Sequence, residues 1–276
     1  MKKFFRCCTI VLGAGLGLLL LAGLVLYTIG MQKLTKSYPD IPVEAVTIPT
    51  DEAAIAHGEH IAMTWSCTYC HGDDLSGKLV KDDSLLGTIP GTNLTAGQGG
   101  IAKSYTNIDW IRAIRHGVKP DGRVEIRMNN YYIMSDQDLG DLIAYIKQVP
   151  PVDSNLPKMH VGWILPLAPA LGYEVPAAEQ IDHNAPRPVD LAPAATAEYG
   201  GYLSVICTEC HSSSLGSKLK GWSQEDFVRM MQTGGLQDGQ QLGPGMPSYR
   251  EMNETELNAL WLYFQTASVE QSESQK

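Results

Sequence analysis

Cys67-Thr68-Tyr69-Cys70-His71 is the stretch on which the reading of this chain turns, and the pattern returns as Cys207-Thr208-Glu209-Cys210-His211, 140 positions downstream. Cysteines three residues apart point the same way from a helical turn, so two such thiols can bond the two vinyl edges of one porphyrin. The histidine that follows then reaches the iron from the proximal face. A zinc half-site and a dithiol redox pair are the competing readings of a single copy. Two copies, each followed by a suitably placed methionine, favour covalent haem. The expectation is two haem c groups, one held by Cys67, Cys70 and His71 and the other by Cys207, Cys210 and His211.

Each copy has its own distal candidates. Met128 lies 57 positions after His71, and Met246 lies 35 positions after His211. Both fall between the middle and last predicted helices of their half, six residues ahead of a second methionine, Met134 or Met252. Met128 and Met246 are the expected iron ligands. Pro247 holds the backbone of Met246 extended, which suits a loop that presents a thioether, whereas Asn129 follows Met128. Periodicity alone does not choose within each pair, and a methionine in any of these places can fill core space instead. His116 is a rival in the first half, but it abuts Gly117, where a histidine can also bond the carbonyls of a helix end. Methionine opposite histidine raises the potential relative to two histidines and leaves no position open for substrate. That ligand set points to electron transfer with no catalytic residue. The alternative is a dihaem enzyme, a peroxidase or a thiosulfate-oxidising cytochrome, in which one iron has an open or unusual ligand. A third reading is a gas-binding haem protein.

The remaining cysteines fit an exported chain. Four of the six belong to the motifs and only Cys7 and Cys8 are left, near the N-terminus, so there is no disulfide framework. Lys2, Lys3 and Arg6 precede a charge-free apolar run of 26 residues, 7–32. As a helix that run would be about 39 Å long, more than the ~30 Å of hydrocarbon in a bilayer. The small-residue cleavage site expected after a signal peptide is poor here, so residues 1–36 are expected to remain as an anchor. The basic flank keeps its own end cytoplasmic, which places the rest of the chain on the periplasmic side of a bacterial inner membrane.

Beyond the anchor the chain divides by composition. Residues 37–50, with Pro39, Pro42 and Pro49, are expected to form an extended tether that lifts the next unit off the membrane. A first domain spans 51–150, with predicted helices near 52–65 and 107–115, a last helix that starts at 135 and is ended by Pro150-Pro151, and a long Gly- and Asp-rich loop over 72–100. Ser135-Asp136-Gln137-Asp138 opens the last helix as a capping box variant. Residues 151–195 hold eight prolines and are expected to be an irregular linker packed against one or both domains. Its apolar piece, 161–171, is too short for a membrane span and is interrupted by Pro166 and Pro169. His160 and His183 are expected at its surface or between domains. A second domain, 196–268, repeats the first: Tyr105 to Arg112 aligns with Trp222 to Arg229, Gly117 with Gly234, and Leu139, Leu142 and Tyr145 with Leu257, Leu260 and Tyr263. It is shorter between motif and methionine, mostly through loss of the loop that holds residues 91–95. Residues 269–276 are a polar tail.

These residues carry a family resemblance. In the first half they are Gly58 and Ile61 ahead of Cys67, Asn93-Leu94-Thr95, Ala113-Ile114-Arg115-His116-Gly117, Asp121-Gly122, and Ser135-Asp136 with Leu139 and Tyr145. In the second they are Glu198-Tyr199-Gly200, Met246-Pro247, Glu256-Leu257 and Trp261-Leu262-Tyr263. Both halves resemble class I cytochrome c domains, and the exported region resembles membrane-anchored dihaem cytochromes c. The first domain is also similar to domains of the cytochrome subunit of membrane-bound quinoprotein and flavoprotein dehydrogenases. The resemblance implies a mostly α fold, a transmembrane helix followed by two tandem helical domains around haem. It also implies redox partners: a dehydrogenase or quinol-oxidising complex on one side, and a terminal oxidase or soluble cytochrome on the other. Two departures stand out. Those dehydrogenase subunits carry three such domains, and the second half here lacks the proline that usually buttresses the proximal histidine, a role the resemblance gives to Pro90 in the first.

The formal charge is −9, and setting aside Lys2, Lys3 and Arg6 leaves −12 for the remainder. Such a surface repels nucleic acid. It acts as a solvated acidic face or steers a basic redox partner.

Overall fold

A computed structural model describes residues 2–208, 211, 215–243 and 245–273. Cys210, one of the expected haem-bonding residues, lies outside them. Helix α1 (Lys2–Thr35) is long and apolar enough to cross a membrane, and it is uncovered by the rest of the chain except near its end, where Gly30 and Leu34 are buried. The remainder is mostly helical: α2 (Glu52–Thr64), α3 (Cys67–His71), α4 (Asn107–His116) and α5 (Asp136–Ile146) in the first half, then α8 (Ala197–Leu203), α9 (Val205–Thr208), α10 (Leu215–Lys218), α11 (Gln224–Thr233) and α12 (Glu254–Glu273) in the second. Helix α12 therefore continues into the stretch read as a polar tail.

Local chemistry sets the helix ends. The Asp51 carboxylate accepts the Ala54 N–H at 3.0 Å and starts α2. Thr106 and Asp109 close a reciprocal capping box on α4, which ends where Gly117 turns left-handed at φ 62°. Helix α11 ends the same way at Gly234, φ 75°. Asn253 and Glu256 cap each other at the start of α12.

Two helix crossings organise the core. Gly58 on α2 lies so close to α5 that an added Cβ would come within 2.0 Å of the Asp141 carbonyl oxygen and 2.9 Å of Tyr145 Cβ. Gly200 on α8 meets α12 identically, at 2.0 Å from the Ala259 oxygen and 2.9 Å from Tyr263 Cβ. The buried residues behind the crossings, Trp65, Met134 and Leu142 in the first half and Leu203, Phe227 and Leu260 in the second, belong to one continuous apolar cluster. The two halves share a core.

Three segments differ from their sequence reading. The 72–100 loop contains a hairpin, β1 (Lys78–Asp83) with β2 (Gly87–Gly91). The strand β3 (His160–Val161) extends it to three strands in the order β1-β2-β3, and it belongs to the supposedly irregular linker. Strand β1 is largely exposed, so its residues show no alternation of apolar and polar side chains to betray it. The linker also forms α6 (Leu167–Ala170) and α7 (Ala177–Gln180). The 37–50 segment lies along the first half instead of standing free: Tyr38 N–H donates to the Gly122 carbonyl at 2.7 Å, and Val43, Val46 and Ile48 pack on the core. Its prolines keep it extended without keeping it away.

Linker side chains tie down these strands of chain. Glu179 accepts from the Tyr38 hydroxyl and pairs with Lys36, both at 2.7 Å. Arg187 bridges Asp136 and Glu44. His183 Nε2 lies 3.1 Å from the Ala178 carbonyl and so must donate to it, which leaves His183 Nδ1 to accept from Nδ1–H of His116, 3.0 Å away. His183 is half-buried against the first half, whereas His160 is exposed.

Candidate functional site

Helix α3 presents the first motif. Ser66, left-handed at φ 63°, turns the chain out of α2, so that Cys67, Cys70 and His71 leave the core side by side. None of the five α3 residues is fully covered, and their i, i+3 and i+4 spacing sets Cys67, Cys70 and His71 on one face of the turn. His71 Nδ1 lies 2.7 Å from the Thr92 carbonyl and donates to it. Burial lowers the His71 pKa, so the ring is neutral and its lone pair sits on Nε2. A metal-binding imidazole needs that tautomer, fixed by a bond at the other nitrogen.

The Thr92 carbonyl is delivered by the hairpin. Gly91 approaches so closely that a Cβ there would come within 1.8 Å of the Cys70 carbonyl oxygen. Pro90 does not take the bond from the proximal histidine, because the His71 N–H goes to the Thr92 carbonyl. The buttress is Thr92, two residues on.

The methionines separate by burial. Met134 is fully buried and Met252 is 2 % exposed, both in the shared core. Met128 and Met246 are half-buried on loops that pack against that core. Arg115, itself buried, donates to the Met134 carbonyl at 2.9 Å and pairs with Asp136, which pins the end of the Met128 loop. His116 is 4 % exposed and faces His183 and Tyr132, so it does not bond the helix-end carbonyls proposed for it.

In the second half Cys207 is buried and His211 is half-buried, with the His211 N–H donating to the Cys207 carbonyl at 2.8 Å. Burial, with Lys218 nearby, lowers the His211 pKa. The hairpin has no counterpart among the described residues between His211 and α11, which accounts for the shorter spacing to Met246.

Several site residues carry no motif. Tyr131 and Tyr249 stand three residues after Met128 and Met246 and begin the same turn, with the Met134 N–H donating to Tyr131 and the Met252 N–H to Tyr249, each at 3.0 Å. The Tyr131 hydroxyl donates to the Trp65 carbonyl at 3.0 Å, and the Ser66 hydroxyl donates to the Tyr249 oxygen at 3.2 Å. Their equal offset from the methionines was the available signal.

The donors fit haem c and not zinc. Burial, with Cys70 beside it, pushes the Cys67 thiol up to about 12. Among the described residues no group of three or more His, Cys, Asp and Glu is arranged to hold a metal ion. A zinc set therefore finds no further donors, whereas thioether bonds and one imidazole need none. Fold and site together define a c-type cytochrome domain, in which haem is attached covalently. The cytochrome c family matches residues 55–150.

The chain is related to cytochrome subunits of dehydrogenases. It is 25% identical over 244 residues to the fructose dehydrogenase cytochrome subunit of Gluconobacter japonicus, covering 74% of this chain and 49% of that protein. It is 30% identical over 149 residues to the gluconate 2-dehydrogenase cytochrome c subunit of Pantoea cypripedii, covering 47% and 34%. It is 26% identical over 182 residues to the cytochrome c subunit of the quinone alcohol dehydrogenase of Gluconobacter oxydans, covering 62% and 38%. The chain thus spans half or less of the length of these relatives.

Proposed function

We propose that this chain is a membrane-anchored dihaem cytochrome c that carries electrons from a dehydrogenase or quinol-oxidising complex to a terminal oxidase or soluble cytochrome on the periplasmic side of a bacterial inner membrane. The observation that carries the reading is α3, where two thiols and an imidazole with its tautomer fixed by Thr92 share one helix face. The repeated helix crossing at Gly58 and Gly200 supports a second unit of the same kind, 196–268, after the first, 51–150. Haem, when bound, supplies the one-electron redox change. His71 and His211 would hold the iron through their nitrogens, and Met128 and Met246 through their thioethers, while Met134 and Met252 stay in the core. A histidine and a methionine at each haem would leave no position open for substrate, which suits a carrier. The relatives, named as cytochrome subunits of fructose, gluconate and alcohol dehydrogenases, support a dehydrogenase as donor.

A redox titration of the purified chain with spectra at each step tests this reading. Two low-spin haems are expected, with the far-red methionine-to-iron band at the intensity of two. Met246→Ala is expected to remove about half of that band and to let carbon monoxide bind one iron. Binding of carbon monoxide by the unaltered chain, or rapid turnover of hydrogen peroxide, would replace the carrier with an enzyme.

A further inference from the structure

The linker segment 161–173 contains no charged residue. It leaves three large apolar side chains in the open: Trp163 is 63% exposed, Leu171 59% and Tyr173 69%. Leu85, at the tip of the β1–β2 hairpin and 44% exposed, joins them, because its carbonyl accepts the Ile164 N–H at 3.1 Å. Scattered apolar side chains on a surface need no explanation, but a concentration of them on one uncharged segment marks an interaction site.

The position of this segment says what it meets. Its Pro166 backbone lies against α1, where a Cβ at Gly30 would come within 1.7 Å of the Pro166 carbonyl oxygen. The Lys33 ammonium donates to the Pro169 carbonyl at 2.9 Å. Leu165 and Leu34 are buried together with Ile89. The segment is therefore fastened to the last turns of α1, which among the described residues is the one helix suited to cross a membrane. A bilayer core takes up about 20 helical residues, and the charge-free run of α1 closes at Gln32, just before Lys33. Gly30, and with it Pro166, thus lies where α1 leaves the hydrocarbon. Tryptophan and tyrosine favour that zone, where one end of the ring is apolar and the other wet.

We propose that residues 161–173, with Leu85, form a second membrane contact that seats in the headgroup region of the same bilayer that α1 crosses. The contact rests on the reading of α1 as an anchor. It makes the exported region a body held at the membrane surface in one orientation, because one helix alone leaves rotation about its axis unconstrained.

The test uses the full haem-loaded chain with Cys7→Ser and Cys8→Ser, reconstituted into phosphatidylcholine–phosphatidylglycerol vesicles. A nitroxide is attached at Trp163→Cys or Tyr173→Cys, and for reference at Leu16→Cys within α1 or Val189→Cys, a residue 79% exposed. Collision with lipid-soluble oxygen is compared with collision with a water-soluble nickel chelate. Oxygen-to-nickel ratios at 163 and 173 several-fold above that at 189, and below that at 16, are expected. Water-like ratios at 163 and 173 with a lipid-like ratio at 16 would overturn the second contact and leave the anchor standing. Water-like ratios at all four positions would overturn the anchor and the contact with it. Labels at 163 and 173 shielded from both reagents would show a protein surface covering the segment, which also overturns the proposal.

Discussion

Tyr202 shows how much one hydroxyl can hold. Ser135 caps α5 by accepting the Asp138 N–H at 3.1 Å, but Asp138 does not return the bond to the Ser135 backbone as Asp109 and Glu256 do in their own boxes. The Tyr202 phenol stands between them instead, accepting the Ser135 N–H at 3.0 Å and donating to the Asp138 carboxylate at 2.5 Å. Burial raises the Asp138 pKa and the bond from Tyr202 opposes the rise. Tyr202→Phe therefore strips a buried N–H and a half-buried carboxylate of one partner each. A loss of about 1–3 kcal/mol is expected, read as a lower denaturant midpoint at unchanged slope. An unchanged midpoint would mean that water takes the place of the phenol.

Two histidines give stability opposite pH dependences. His60 Nε2 meets Glu256 at 2.8 Å, and that carboxylate raises the His60 pKa above its ordinary 6.5. The folded state then favours the proton, so the stabilisation is complete below the unfolded pKa and fades as pH rises through the folded one. His116 runs the other way. Burial, with His183, Arg115 and Arg112 nearby, pulls it down to about 4, so stability is lost as pH falls from about 6.5 toward 4. His60→Gln is expected to lower the unfolding midpoint more near pH 6 than near pH 8. An equal loss at both would remove the ion pair from the account.

At the scale of elements, Gly91 couples the hairpin to the haem motif. A methyl group there would collide with the Cys70 carbonyl, so β2 must move away and take the Thr92 carbonyl from His71. Gly91→Ala is expected to shift the midpoint potential and the visible spectrum of the haem at the Cys67–His71 motif, because the imidazole loses the bond that fixes its tautomer. Gly243→Ala, where nothing lies within 4 Å of the added carbon, is the control. The main helices were legible because caps and periodicity are local: Thr106 with Asp109, Ser135, and the left-handed Gly117 and Gly234 all announce themselves in sequence. The hairpin was not. Strand β1 faces solvent and β2 includes Pro90, so neither leaves a periodic trace, and β3 lies some seventy residues away in a Pro-rich stretch. The spacing of the motifs names the candidate cysteines and histidines, but the resemblance put the buttress at Pro90, because any residue can supply an accepting carbonyl and only the hairpin places that of Thr92.

On the scale of the whole molecule the two halves meet about an approximate twofold relation. His60 on α2 and Tyr202 on α8 each stand two residues beyond the glycine of their own helix crossing, and each bonds the third residue of the other half's last helix, Glu256 or Asp138. The arrangement resembles the isologous contact of a symmetric dimer, written here into one chain. Trp65 lies at its centre, 2 % exposed, with its ring 5.1 Å from that of Tyr202 and 6.2 Å from that of Tyr131. A shared apolar cluster predicts that the halves unfold together. Thermal unfolding should then show one transition, and hydrogen exchange in α2 and in α12 should report the same opening free energy. Trp65→Ala, although it lies in the first half, should destabilise both by about 3–5 kcal/mol and speed exchange in the two helices alike. Two separate transitions, or faster exchange confined to α2, would show instead that each half folds on its own and that the contact between them is secondary.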